Sequence, residues 1–238
     1  MSRNLKLIEK INTELLNEIR SEILANNDLF TDSRALSIDF HRYTKHIPLR
    51  GPVTATRAKN RIFSKYQCFV NGIESINSKY AASLPKTMSY LEDFAKRNES
   101  VLGRAQVVLL SGNREVFTHV DYGYYYGLHD RYHLVIDSLG SEMESGGEVK
   151  TYTNGDLFFY ENRLPHSARN TGDSERTHII FDTISINPFI VIYKFFKWKV
   201  LYRKYIDKSI FYNSGQTFNE RDSYVYLLEA LRVLSKKD

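Results

Sequence analysis

Two ends of the chain carry apolar residues at helical spacing, and the middle does not. From Leu5 to Leu24, Ile8, Ile11, Leu15, Ile19 and Ile23 fall three or four residues apart with Lys, Glu and Asn between them. That spacing predicts an amphipathic helix that needs a partner surface. A second helix is expected over about Thr87 to Arg97, where Met88, Leu91 and Phe94 form the stripe shortly after Pro85. A third is expected over Arg221 to Ser235, with Tyr224, Leu227, Leu228, Leu231 and Leu234 on one face.

Between Arg104 and Ile184 the pattern shortens to runs rich in Val, Ile, Phe, Tyr and Thr. The runs are Ala105 to Leu110, Glu115 to Asp121, Tyr132 to Asp137, Glu148 to Thr153, Asp156 to Tyr160, Pro165 to Asn170 and Glu175 to Ile184. Ser111-Gly-Asn, Ser145-Gly-Gly, Asn154-Gly155 and Asn170-Thr-Gly-Asp-Ser separate them, each a turn by its Gly and Asn content. Short antiparallel strands so spaced imply a sandwich or barrel, and a jelly roll fits best. The fold expected is mainly β with flanking helices, one compact domain in three parts. Residues 1–100 form an N-terminal helical and mixed region packing on the core, 101–186 the β core, and 187–238 a basic aromatic segment with a C-terminal helix. From Asp32 to Pro85 no period dominates.

Composition narrows the setting. A chain of 238 residues buries a sizeable core without staples, and its one cysteine, Cys68, excludes an internal disulfide framework and fits a reducing compartment. The charged N-terminus lacks a signal-peptide pattern, and no uncharged apolar run approaches the ~20 residues of a spanning helix. A soluble, cytoplasmic protein is expected. The net charge of +5 is concentrated between Asn187 and Ile206, where Lys194, Lys197, Lys199, Arg203 and Lys204 meet no acid. Phe189, Tyr193, Phe195, Phe196, Trp198, Tyr202 and Tyr205 interleave with them, as an anionic membrane surface or nucleic acid would require. The favoured reading is that these aromatics pack over the barrel while the lysines reach into water, so no nucleic-acid partner is expected.

The candidate chemistry begins at His119-Val-Asp121. On a strand, residues two apart face the same side, so His119 and Asp121 supply two arms of a 2-His-1-carboxylate iron site. His166, after the strand ending Leu157-Phe158-Phe159-Tyr160, is the leading third arm. Arg176 follows the Asn170–Ser174 turn, and His166 and Arg176 are expected on adjacent strands of one hairpin. A guanidinium there offers the fork that a dicarboxylic cosubstrate needs. Tyr122, Tyr124, Tyr125 and Tyr126 are placed to form a substrate lid, His129 and Asp130 read as loop residues, and His178 shares the inward face of Arg176 as a strand polar residue.

At these residues the chain resembles the aspartyl/asparaginyl beta-hydroxylase family of Fe(II)- and 2-oxoglutarate-dependent dioxygenases, and is similar to free-proline hydroxylases. The resemblance runs through Leu110-Ser-Gly112, His119-Val-Asp121, Arg131-Tyr-His133-Leu134, Gly155-Asp-Leu-Phe-Phe, His166 with Asn170, and Glu175-Arg176, about one third of the chain. It implies a double-stranded β-helix (cupin-like jelly roll) with His119, Asp121 and His166 as iron ligands. Arg176 is then on the distal carboxylate of 2-oxoglutarate, and Arg131 and His133 touch the cosubstrate near the metal. The implied cofactors are Fe(II), 2-oxoglutarate and O2, with ascorbate in support. The implied reaction hydroxylates an amino acid, or an Asp, Asn or Pro side chain in a peptide or protein, and releases succinate and CO2. The segment between His119 and Arg131 is longer than in peptide-modifying members. Two other classes compete: a non-catalytic jelly-roll binding module using the basic aromatic segment, and a cupin-type metalloenzyme without 2-oxoglutarate.

Overall fold

Strand alternation decides what each face of the main sheet meets. The computed structural model describes residues 3–37, 39–52, 75–121, 124–205 and 220–235. Among them two antiparallel sheets form. The larger contains β1 (Leu5–Lys10), β2 (Thr44–Pro52), β3 (Ser75–Asn77), β4 (Ser100–Leu110), β6 (Asp130–Asp137), β9 (Asp156–Tyr160) and β11 (Arg176–Ser185), in the order β1-β9-β6-β11-β4-β2-β3. The smaller contains β5 (Glu115–His119), β7 (Ser141–Ser145), β8 (Glu148–Thr151) and β10 (His166–Asn170), in the order β5-β10-β7-β8. This is the jelly-roll architecture expected from the spacing of the strands.

On one side of the larger sheet, Val107, Leu134, Ile136, Leu157, Ile179 and Phe181 pack against α1 (Thr13–Ala25) and α3 (Pro85–Arg97) through Ile19, Ile23, Leu91 and Phe94. Each such fully buried side chain contributes roughly 1.5–3 kcal/mol. The alternate residues face the smaller sheet. There Leu110, Val135, Phe158 and Tyr160 meet Val116, Met143 and Ala168. The same inward face of β6 and β11 carries Arg131, His133, Arg176, His178 and Asp182, all buried. Polar groups placed inside a core at this density are expensive unless hydrogen bonds or opposite charges offset their desolvation.

Several elements differ from expectation. Leu5–Lys10 is a strand rather than the start of a helix, because the Asn12 side chain accepts from the Leu15 amide at 2.8 Å and caps the helix there. The freed segment then pairs with β9. Strand β7, Ser141-Glu-Met-Glu-Ser145, has too little apolar character to read as a strand, yet the Gly146-Gly147 turn, with both φ positive, folds β8 directly back on it. Strands β2 and β3 were not anticipated in the mixed N-terminal region. His166 and Arg176 do not share a hairpin: β10 and β11 belong to different sheets. The 171–175 connection crosses between the sheets, steadied by the Asn170 carboxamide, which donates to the carbonyls of Leu110, Ser111 and Ser174 at 2.8–3.2 Å. Gly112 lies so close to this crossing that a Cβ would sit 1.9 Å from the Asp173 carbonyl oxygen.

The basic aromatic segment is helix α5 (Pro188–Tyr205), preceded by the short helices α2 (Ser33–Ser37) and α4 (Tyr124–Leu128) and followed by α6 (Glu220–Leu234). Val191, Phe195 and Trp198 pack with Leu128, Ile184, Leu227 and Leu234, while Phe189, Tyr193, Phe196 and Val200 are exposed. No helix among the described residues is long and apolar enough to cross a membrane. Cys68 and Tyr122 lie outside the described residues.

Candidate metal and cosubstrate site

Strands β5 and β10 are neighbours in the smaller sheet, and His119 stands directly opposite His166 in the register. Their imidazole centroids are 4.2 Å apart. The chain leaving β5 brings Asp121 back beside them, with Oδ1 3.8 Å from His119 Nε2. One ligand atom from each residue lies within 4.8 Å of the other two, and all three residues are buried. Val120 between them is buried as well.

Each member is oriented by a second contact. His119 Nδ1 is 2.8 Å from the Phe117 carbonyl and His166 Nδ1 is 2.9 Å from the Leu164 carbonyl. A carbonyl only accepts, so both Nδ1 atoms carry a proton, and in the neutral ring the lone pair is on Nε2. Burial pushes His166 below the usual histidine range, against the opposing pull of Asp121, and so favours that neutral form. Asp121 Oδ2 accepts from Arg131 and, at 2.9 Å, from the Asn162 carboxamide, while the Asp121 amide donates to the Asn162 carbonyl at 3.0 Å. Burial alone would raise the Asp121 carboxyl, but Arg131, His166, His119 and Asn162 together hold it well below the usual carboxylate range. One carboxylate oxygen is thereby held and the other is turned towards His119.

Arg131 is committed on both sides. Opposite it in the β6–β11 register stands Asp182, which accepts from Nε at 2.8 Å and from Nη2 at 3.1 Å. Burial opposes its charge, yet Asp182 and Asp121 keep it firmly cationic. Arg176 is the reverse case. Its Nη1 donates to Ser141 Oγ at 2.8 Å and to the Met143 sulfur at 3.4 Å, its Nε has no hydrogen-bond partner, and no carboxylate among the described residues pairs with it. Desolvation pushes it down to about 10. It lines one cavity with His41, His119, Arg131, His133 and His166. A buried cation without an anion, beside a two-histidine, one-carboxylate cluster, fits Fe(II) and a dicarboxylate that brings the missing charge.

The profile of the family described as aspartyl/asparaginyl beta-hydroxylase matches residues 40–185, more than half of the chain. The chain belongs to the aspartyl/asparaginyl beta-hydroxylase family of 2-oxoglutarate-dependent dioxygenases. Among curated proteins, none matches it. Of solved structures, a prolyl hydroxylase from Trichoplax adhaerens, in complex with a hypoxia inducible factor oxygen degradation domain peptide fragment, is similar at TM-score 0.50 and 10% identity. That match covers 77% of this chain and 84% of the other. The viral collagen prolyl hydroxylase of Paramecium Bursaria Chlorella virus-1 gives TM-score 0.43 and 10% identity over 78% of this chain and 98% of its own. Salicylate 1,2-dioxygenase from Pseudoaminobacter salicylatoxidans gives 0.27 and 16% over 33% of this chain, which spans only 19% of that enzyme. At these identities the Trichoplax structure bears on the fold alone: it is the same two-sheet architecture.

In this family member, parts of the site escaped the sequence reading. Asn162 sits in the loop after β9, where spacing carries no signal. Asp182 did carry one, since Arg176, His178, Ile180 and Asp182 alternate along one inward face of β11. Phe40 stacks on the His119 ring at 3.9 Å, out of the mixed region. His129 is in the connection between α4 and β6, as expected, but is buried there, stacked on Tyr125 at 3.8 Å, while Asp130 opens β6 instead of lying in the loop. The tyrosines divide: the Tyr125 hydroxyl accepts from the Arg104 amide at 2.7 Å, a packing role, while Tyr126 lies with the Arg131 guanidinium 5.0 Å from its ring centroid. Lys194 pairs with Asp130 at 2.5 Å and Lys197 with Glu161 at 3.5 Å, and Arg163 also engages Glu161. The basic helix therefore clamps the loop that carries Asn162.

Three other buried histidines give the metal-free protein a pH signature. Desolvation holds His129 at about 3 and keeps His133 and His178 well below the histidine range; neither ring nitrogen of His133 or His178 has a hydrogen-bond partner. In the unfolded chain each takes a proton near pH 6.5. Their folded pKa values are depressed, so the stability they permit is whole above about pH 6.5 and is lost as the pH falls towards the folded values. Each costs about 1.4 kcal/mol per pH unit in that window. Urea unfolding of the metal-free protein should show a loss of roughly 4 kcal/mol between pH 7.5 and 5.5. A flat profile there would mean that these rings are solvated or charged in the native state.

Proposed function

We propose that the protein is an Fe(II)- and 2-oxoglutarate-dependent hydroxylase acting on an amino acid, or on an Asp, Asn or Pro side chain of a peptide or protein. The observation that carries this is the convergence of His119, Asp121 and His166 in the same cavity as Arg176, whose charge no carboxylate among the described residues offsets. His119, Asp121 and His166 hold the iron, and Arg176 takes the distal carboxylate of the cosubstrate in a charge-assisted fork. Arg131 borders the cosubstrate and, with Asn162, fixes Asp121. His133, with both nitrogens available, is a further polar contact in the same cavity. Iron and 2-oxoglutarate, when bound, supply the oxidation: with O2, the cosubstrate becomes succinate and CO2 and one oxygen atom becomes the substrate hydroxyl.

The chain's own contribution is geometric and electrostatic. The two Nδ1–carbonyl bonds keep the ligating nitrogens unprotonated, the Arg131–Asp182 pair keeps Asp121 ionised, and the enclosing Tyr160, Val108, Val116 and Ala168 exclude bulk water. The test is incubation with Fe(II), ascorbate and 2-oxoglutarate across free amino acids and peptides. The expected result is succinate together with a product heavier by one oxygen atom. Failure to bind or turn over 2-oxoglutarate under any of these conditions contradicts the reading.

A further inference from the structure

Both groups that hold Asp121 Oδ2 sit next in the chain to an acid that is gripped by helix α5. Arg131 follows Asp130 at the start of β6, and Asn162 follows Glu161 just beyond the end of β9. In the β6–β9 register Arg131 stands opposite Tyr160. Asp130 and Glu161, one residue further out on each chain, therefore meet at the same end of the larger sheet. Successive strand residues point to opposite faces, which sends Arg131 inwards to Asp121 and Asp130 outwards to the helix.

Two like charges side by side on neighbouring strands repel and would part the ends that carry them. Three cations oppose this. Arg163 bridges the acids: it forks onto Glu161, with Nη2 2.9 Å from Oε2, and lies 3.6 Å from Asp130 Oδ1. Lys194 donates to Asp130 at 2.5 Å and Lys197 to Glu161 at 3.5 Å. The lysines are three residues apart, so they project from one face of α5. Except for Lys197, the side chains of this cluster are at most one-fifth exposed, so salt and water screen them little. The helix itself is a firm support, because Val191, Phe195 and Trp198 bury its other side.

Resting on the hydroxylase reading, we infer that Lys194 and Lys197 are positioning residues for the metal ligand Asp121, acting through Asp130 and Glu161 on Arg131 and Asn162. Neither lysine lines the metal cavity. Their effect reaches it because Asp121 lies beyond the end of β5, and its carboxylate and amide hydrogen-bond to Arg131 and Asn162. By holding those two partners together, the lysines set the spacing of the carboxylate from the two imidazoles, on which metal affinity depends. Helix α5, which follows all three ligands in the chain, is thereby a working part of the site.

The experiment is anaerobic titration of the protein with Co(II) and with Fe(II), read by the visible bands of bound Co(II) and by chelator competition. Thermal melting and 2-oxoglutarate binding are followed in parallel. In the double variant Lys194→Met, Lys197→Met the Kd for either metal should rise about tenfold and the Co(II) bands should shift, since outer contacts of a metal site carry about 10–100-fold in affinity. The double variant Lys194→Arg, Lys197→Arg should recover most of the loss. Val191→Ala is the control: it loosens the same helix from its core and lowers the melting temperature but spares the clamp, so its metal affinity and spectrum should match wild type. Unchanged metal binding in the methionine pair, an equal change in Val191→Ala, or an arginine pair as impaired as the methionine pair overturns the inference and leaves the hydroxylase reading standing. If the methionine pair does not fold, Lys194→Met alone decides by the same readouts. A wild-type protein that binds metal but not 2-oxoglutarate overturns the hydroxylase reading, while the clamp is still judged on metal affinity. One that binds no metal overturns both.

Discussion

Alanine in place of His119 or His166 should lower iron-dependent conversion of 2-oxoglutarate to succinate by about 10³-fold or more. Each ring supplies one of three protein donors, and a metal centre of this kind contributes several kcal/mol to the barrier it lowers. The two rings face each other across one pair of strands, so losing either leaves a single imidazole and one carboxylate, too few to retain iron at micromolar concentration. The measurement is Fe(II) titration alongside turnover, with circular dichroism and thermal melting as controls. Both rings donate through Nδ1 to a carbonyl two residues earlier in the chain, so their removal should leave the fold intact. Full turnover by His166→Ala would remove the proposed role of that residue.

Arg176→Met should raise the apparent Kd for 2-oxoglutarate about 100-fold or more while leaving Fe(II) affinity near that of wild type. Removing one partner of a buried, hydrogen-bonded charge pair costs about 2–5 kcal/mol. Among the described residues Arg176 has only a hydroxyl and a thioether as acceptors, so the dicarboxylate would supply its counter-charge. A corollary sharpens the test. Burying an unpaired guanidinium destabilises the empty protein, so the methionine variant, similar in shape and uncharged, should melt at a higher temperature than wild type without ligand and should gain little from 2-oxoglutarate. A cupin-type metalloenzyme that dispenses with 2-oxoglutarate would show neither change in cosubstrate response. The competing picture of a recruitment module resting on the basic helix is weakened by what its lysines do. Lys194 and Lys197 are spent on Asp130 and Glu161, and Lys199 is buried beside Phe195 and Tyr224.

How far the sequence reveals this arrangement depends on whether local pattern or distant pairing decides each part. Period-two alternation located β9 at its observed bounds and β4, β6 and β11 within a few residues, because apolar residues crowd those strands. It also put Arg176 with His178 on a common face, whereas the pairing of Arg131 with His133 came from the family resemblance. Alternation could not show that Asn170–Ser174 crosses from one sheet to the other, since a hairpin and a crossing use the same turn residues. It missed β7, whose Glu and Ser residues are stabilised by pairing with β10 rather than by their own burial pattern. It mistook Leu5–Lys10 for helix because a three-to-four spacing continued by chance across the Asn12 cap. Of the site, the residue types at 119, 121, 166 and 176 were legible because iron and carboxylate chemistry restrict them so narrowly. Asn162 was invisible, since a carboxamide in a loop acquires its role only when the strands assemble.

The most direct test of the central claim is anaerobic: Fe(II) is added to the purified protein, then 2-oxoglutarate, and the visible spectrum is recorded. A keto acid chelating iron held by His119, Asp121 and His166 should produce a metal-to-ligand charge-transfer band that His166→Ala lacks and that Arg176→Met develops only at much higher cosubstrate concentration. A folded wild-type protein that binds iron and shows no such band, or one whose band survives His166→Ala, would contradict the account.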